Sequence, residues 1–113
     1  MRRSFRLKKR KDFSHVFGTG RSAAGRLMVV YTAPREAATV RIGFSAGKKL
    51  GNAVLRNRAR RRLKEMVRKV LPRLHGGRDL VVIARAAAVK ATWPELEKEF
   101  QQICRRIKVW NEL

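Results

Sequence analysis

Between Arg56 and Lys69 the chain carries eight basic residues and a single acid, Glu65. On a helix, at about 100° per residue, Asn57, Arg61, Lys64 and Arg68 fall on one side and Arg58, Arg62 and Lys69 on the next. Leu55, Ala59, Leu63, Met66 and Val70 take the side facing away. A solvated charged face usually mixes signs, because like charges at i,i+4 each cost roughly 0.2–0.5 kcal/mol. Here Glu65 alone must relieve Arg61, Arg62 and Lys69. Such a helix is frustrated by itself and relieved by phosphates. Arginine dominates over lysine, which suits fork-like hydrogen bonding to phosphate oxygens.

Phe13 and Phe17 stand four residues apart and offer a second chemistry. Aromatic faces stack on any base, at about 1–3 kcal/mol for each stack, and so bind single strands without demanding a sequence. A Phe pair at this spacing on a short helix equally serves core packing. Spacing alone leaves both uses open.

Nothing in the chain resembles a hydrolytic centre. Phosphodiester hydrolysis by protein groups needs carboxylates to hold metal ions, or a tuned acid and base. Glu95, Glu97 and Glu99 are spaced by two, which on a helix points them apart. His15 and His75 lie 60 positions from each other with no partner at metal-ligand spacing, and a surface role fits both. Cys104 shares an apolar stripe with Phe100 and Ile107, and Trp93 and Trp110 bracket the last helix as packing or capping residues. No catalytic residue and no metal ligand are expected.

The elements that must carry these residues follow from periodicity. Phe13, Val16 and Phe17 mark a short helix, ended by Gly18 and Gly20. Leu27 to Thr32 reads as a strand stopped by Pro34, and Val40, Ile42 and Phe44 alternate as a half-buried strand. The short connection between them predicts an antiparallel hairpin. Asn52 is placed to cap the basic helix, which Pro72 closes. Asp79 to Ala84 is a near-continuous apolar run suited to an interior strand. Thr92-Trp93-Pro94-Glu95 has the form of a capping box, followed by Leu96, Phe100, Ile103, Cys104 and Ile107 as a core stripe. The order is α-β-β-α-β-α: an α+β fold, a small single-domain α-β sandwich over 1–113 with a basic arm at 1–10.

Composition bounds the partners. Lys and Arg total 29 against 8 Asp and Glu, for a net charge of +21. Self-repulsion of that size is expected only where a polyanion offsets it. No apolar run approaches the roughly 18 residues that span a bilayer, and the basic start lacks the apolar stretch of a signal peptide. One cysteine makes no internal disulfide, in keeping with a reducing cytoplasm. Nucleic acid in the cytoplasm is the expected partner, with no membrane and no small-molecule substrate.

Lys48-Lys49-Leu50-Gly51-Asn52-Ala53-Val54-Leu55-Arg56-Asn57-Arg58, followed by Arg60-Arg61-Arg62-Leu63-Lys64-Glu65, closely resembles the Arg-Asn-Arg signature of the bacterial ribonuclease P protein family. Arg6-Leu7-Lys8-Lys9-Arg10-Lys11-Asp12-Phe13 resembles that family's opening, and Gly43-Phe44-Ser45 and Asp79 to Arg85 match in order and spacing. Nearly the whole chain is covered; Ala46-Gly47 fits more loosely. The resemblance implies a left-handed βαβ crossover around the arginine helix, an exception to the usual hand. It implies a protein subunit of an endoribonuclease whose catalytic centre is on RNA. That RNA requires Mg2+, and the protein binds no cofactor strongly. Its partners would be ribonuclease P RNA and precursor tRNA, whose 5′ leader is removed. For the catalytic RNA the implied contacts are Lys48, Lys49, Asn52, Arg56, Asn57, Arg58, Arg60, Arg61, Arg62, Lys64 and Arg68. For the leader cleft they are Phe13, Phe17 and Tyr31, with the two Phe rings partly exposed beside the sheet.

The chief rival is a structural RNA-binding protein such as a small ribosomal protein, which would share the charge but explain neither the signature nor the paired aromatics. A DNA-compacting factor is a second. A helix-turn-helix reader lacks its preceding short helix, and a protein-only nuclease lacks its acids.

Overall fold

In the computed structural model, which describes residues 5–112, the apolar run Arg78–Ala84 (β4) is buried along most of its length. A strand apolar on both faces needs neighbours on both edges and layers above and below. It has them. Met28–Pro34 (β2) pairs with it antiparallel and Val40–Ala46 (β3) pairs with it parallel. The predicted β2–β3 hairpin is therefore absent, because β4 lies between its two members in the order β1-β2-β4-β3. Alternation told which face of each strand is buried. It carried no information on which edge is paired.

The first strand, Arg21–Ala24 (β1), extends the predicted order to α-β-β-β-α-β-α. Its sequence, Arg-Ser-Ala-Ala, has weak strand propensity and only Ala23 is buried. The free edge of β2 gives it its conformation. Glu99 then fastens the β1–β2 turn, its carboxylate accepting the backbone N–H groups of Arg26, Leu27 and Met28 at 2.8, 2.8 and 3.0 Å.

One face of the sheet, with Met28, Val30, Ile42, Leu80 and Val82, packs on Ala53–Val70 (α2) and Trp93–Arg106 (α3) through Leu63, Met66, Leu96, Phe100 and Ile103. The opposite face presents Ala33 and Val81 to Val16 of Arg10–Thr19 (α1) and to Leu7. Helix α1 runs past Gly18, and Gly20 forms its C-cap.

Both predicted caps are present. Asn52 Oδ1 accepts from Leu55 N at 3.0 Å, and Thr92 and Glu95 form a reciprocal capping box. Gly51, at φ 128°, occupies a conformation that L side chains avoid and turns the chain from the 3-10 turn Lys48–Leu50 into the cap. Among the described residues no helix is long and apolar enough to cross a membrane.

Candidate nucleic-acid interface

Helix α2 buries Ala59, Leu63, Met66 and Val67, so its cations must point along its flanks and away from the sheet. The flank with Asn57, Arg60, Arg61 and Lys64 meets the N-terminal arm. There Leu7 N donates to Ile42 O at 2.9 Å, which lays the arm along the edge of β3 and brings Arg6 beside the helix. These groups surround a recess of about 310 Å³ floored by Leu7, Ile42 and Phe44. A basic rim over an apolar floor suits a nucleotide, whose phosphate and base have those two characters.

Relief of the helix charge is sparse. Arg68 pairs with Glu65 at 3.0 Å, and Arg60 donates to the side-chain oxygen of Asn57. Among the described residues, Arg58, Arg61 and Lys64 have no ion-pair partner. Arg56 is half-buried, and its Nε has no hydrogen-bond partner.

Arg62 is engaged inside the protein. Its guanidinium donates to Ala88 O and Val89 O, both at 2.8 Å, and to Ala91 O. It thereby holds the 3-10 turn Ala86–Val89 against α2, a bond set that spacing along α2 did not reveal. Lys48 and Lys49 stand exposed on the turn before the helix. Lys49 also meets Arg26 and Arg85 around Leu50 and Ile83, in a recess of about 500 Å³.

On the other face of the sheet the aromatics come together. Phe17 and Tyr31 meet edge to face at 5.0 Å and 82°, and Phe13 lies 6.4 Å from Phe17 at 50°. Their burial differs. Phe17 is 43 % exposed, whereas Phe13 packs over Gly43, where any Cβ would overlap its ring. Glycine is needed there for the close approach. Tyr31 is half-buried, and the register Tyr31↔Val81, Val29↔Ile83 continues this face through the buried Val81 to the half-buried Val29 and Ile83. Spacing left core and cleft open for the Phe pair. The fold packs Phe13 over Gly43 and leaves Phe17 exposed.

Beside α1, Arg41 grips Asp79 through two hydrogen bonds of 2.9 and 2.8 Å, and Arg35 and Asp12 join at 3.5 and 3.7 Å. Among the described residues no group of three or more His, Cys, Asp or Glu is arranged to hold a metal ion.

The family model for ribonuclease P matches residues 1–108. The chain belongs to the bacterial ribonuclease P protein family. It is 47% identical over 107 residues to the ribonuclease P protein component of Symbiobacterium thermophilum, covering 94% of this chain and 93% of that one. It is 40% identical to the component of Exiguobacterium sp., covering 99% and 97%. The Staphylococcus aureus RNase P protein superposes with a TM-score of 0.82 at 36% identity, over 95% of this chain and 98% of that one. As a ribonuclease P protein, the chain is a subunit of a tRNA-processing ribonucleoprotein that is an endoribonuclease.

Within that family frame, two features had no place among the residues that spacing singled out. Arg6 joins the α2 surface through a bridge to β3, and the buried Leu7 in an otherwise basic arm was the available signal. Trp93 stands exposed beside Arg62 and Lys69. Its position at the start of a helix suggested packing or capping.

Proposed function

We propose that this ribonuclease P protein holds the catalytic RNA with α2 and the 5′ leader of precursor tRNA with the cleft beside α1, while the RNA performs the cleavage. The observation that carries the reading is the placement of two unlike surfaces on opposite faces of one sheet. Arg58, Arg61 and Lys64 stand without ion pairs on the α2 side, and Phe17 with Tyr31 lies open on the other. A rigid sheet between them lets the protein bind both RNAs at once without the two competing.

The division of labour follows from the chemistry of each surface. Cations of α2, with Lys48, Lys49 and Arg6, neutralise phosphates and release counterions, which gives strong, salt-dependent affinity. Asn52 stays occupied by its cap, and its contribution is to fix where the helix begins. Phe17 and Tyr31 offer stacking that tolerates any leader sequence. Screening of RNA–RNA repulsion lowers the Mg2+ concentration at which the RNA folds and binds substrate, and the catalytic Mg2+ ions are held by RNA. The protein supplies no general acid, base or nucleophile. We place this activity in the cytoplasm, and we carry over from the family the left-handed sense of the β3–α2–β4 crossover.

Reconstitution with the ribonuclease P RNA of the same organism tests the reading. At low Mg2+, adding the protein should stimulate 5′ cleavage of precursor tRNA, and the protein alone should cut nothing. Cleavage by RNA-free protein, or an RNA indifferent to the protein where Mg2+ is limiting, would overturn it.

A further inference from the structure

Trp93 is one of three large apolar side chains exposed among the described residues, the others being Phe17 and Val54. It is not needed as a cap, since Thr92 and Glu95 satisfy the start of α3. It is not core, at 39 % exposure. Its ring forms one wall of a recess of about 570 Å³ shared with Leu55, Arg58, Arg62, Val89 and Lys90, a lining with three cations and no acid. The Arg62 guanidinium lies 5.3 Å from the ring centroid and the Lys69 ammonium 5.5 Å. Because Arg62 is anchored to the carbonyls of Ala88 and Val89, it fixes the recess before any ligand arrives. Arg58 and Arg62 also line the neighbouring recess with Val54, Asn57 and Arg61, so this surface is continuous with the basic flank of α2.

We propose that Trp93 is a stacking platform for an unpaired base of the RNA held by α2, with Arg58 and Lys90 taking the adjoining phosphates. The inference rests on the proposed role of α2 and adds a contact from a second element, α3. A flat apolar ring with cations over and around it matches a nucleotide, which carries a π face and a negative charge within a few ångströms of each other. A protein partner would have to supply both an acidic patch and a flat apolar group at this spacing. The Lys69 ammonium now over the ring is on an exposed side chain, so a stacking base displaces it.

Two measurements on the full-length protein with the ribonuclease P RNA of the same organism test this. Trp93→Leu should weaken RNA affinity by roughly 5- to 150-fold, the range expected when a base–aromatic stack is removed. It should leave the slope of log K against log salt unchanged, because a neutral stack releases no counterion. Trp93→Phe keeps an aromatic face and should stay within about threefold of wild type, whereas Lys90→Ala should make the salt slope shallower. Independently of folding in the Leu variant, the emission of Trp93 should be quenched when RNA saturates the wild-type protein. Trp93→Phe, which retains only the buried Trp110, supplies the blank. Unchanged Trp93 emission at saturation, or a folded Trp93→Leu protein that binds as tightly as wild type, overturns the proposal. Wild type that fails to bind the RNA at all would instead remove the parent reading.

Discussion

Arg41 and Asp79 are register partners on the parallel strands β3 and β4, and both carboxylate oxygens of Asp79 accept from the one guanidinium. The hydrogen bond to Asp79 is the main reason that the Arg41 guanidinium is held above its ordinary value. Asp12 of α1 reaches the same guanidinium and Arg35 after β2 reaches the same carboxylate, so the network joins α1, β3, β4 and the end of β2. In a chain with so few acids, Asp79 is 3 % exposed and is used for this.

Asp79→Asn should therefore destabilise the fold. Breaking a buried pair costs about 3–5 kcal/mol. The side chain of Arg41 is 28% exposed and can recover water, so about 2–3 kcal/mol is expected here. Urea denaturation checks it, and an unmoved midpoint would mean that the network contributes nothing.

Neighbouring arginines on α2 should behave differently. Arg61→Ala removes an unpaired surface cation: stability should stay within about 0.5 kcal/mol, while the salt slope of RNA binding should fall by about 0.7–0.9 for each phosphate no longer neutralised. Arg62→Ala removes a donor to three carbonyls. It should lower stability by about 2 kcal/mol, the scale of charged hydrogen bonds in a part-buried site. Thermal melts beside binding titrations separate the two. Equal melting temperatures would contradict the assignment of Arg62 as a strut.

The two phenylalanines should separate in the same way. Phe17→Ala should cost little stability and weaken binding of precursor tRNA roughly 5- to 150-fold, with little effect on mature tRNA. Phe13→Ala should cost about 2–3 kcal/mol, because its ring fills the space over Gly43. Affinities for tRNA with and without a leader make the comparison. If Phe17→Ala weakens both equally, Phe17 does not line a leader site.

Burial pushes the Cys104 thiol from an ordinary 9.0 up to about 12. The folded state therefore keeps the proton where the unfolded chain releases it. Stability from this group is complete below about pH 9 and is lost as pH rises toward 12. By about pH 10.5 the loss should reach about 2 kcal/mol, at 1.36 kcal/mol for each pH unit. The difference between wild type and Cys104→Ala, taken at about pH 8 and at about pH 10.5, isolates it from lysine titration. A thiol reagent should modify the native protein far more slowly than the unfolded one.

What local order can specify was legible in the residues themselves. Apolar spacing set the faces of α2 and α3, Asn52 and Thr92 marked their starts, and the apolar run of β4 announced an interior strand. These are properties of neighbours within a turn or two of chain. Uncompensated charge on α2 likewise needs no fold to be counted, and by itself it suits a polyanion.

Tertiary structure decided the rest, because those outcomes depend on groups far apart in sequence. Strand pairing put β4 between β2 and β3 where a hairpin was expected, since a strand's pattern selects its face but leaves its partner open. The edge of β2 turned Arg21–Ala24 into β1. Carbonyls 26 to 29 residues away drew Arg62 inward while Arg61 stayed out. Gly43, on a strand 30 positions beyond Phe13, separated a packed ring from an open one on the same helix.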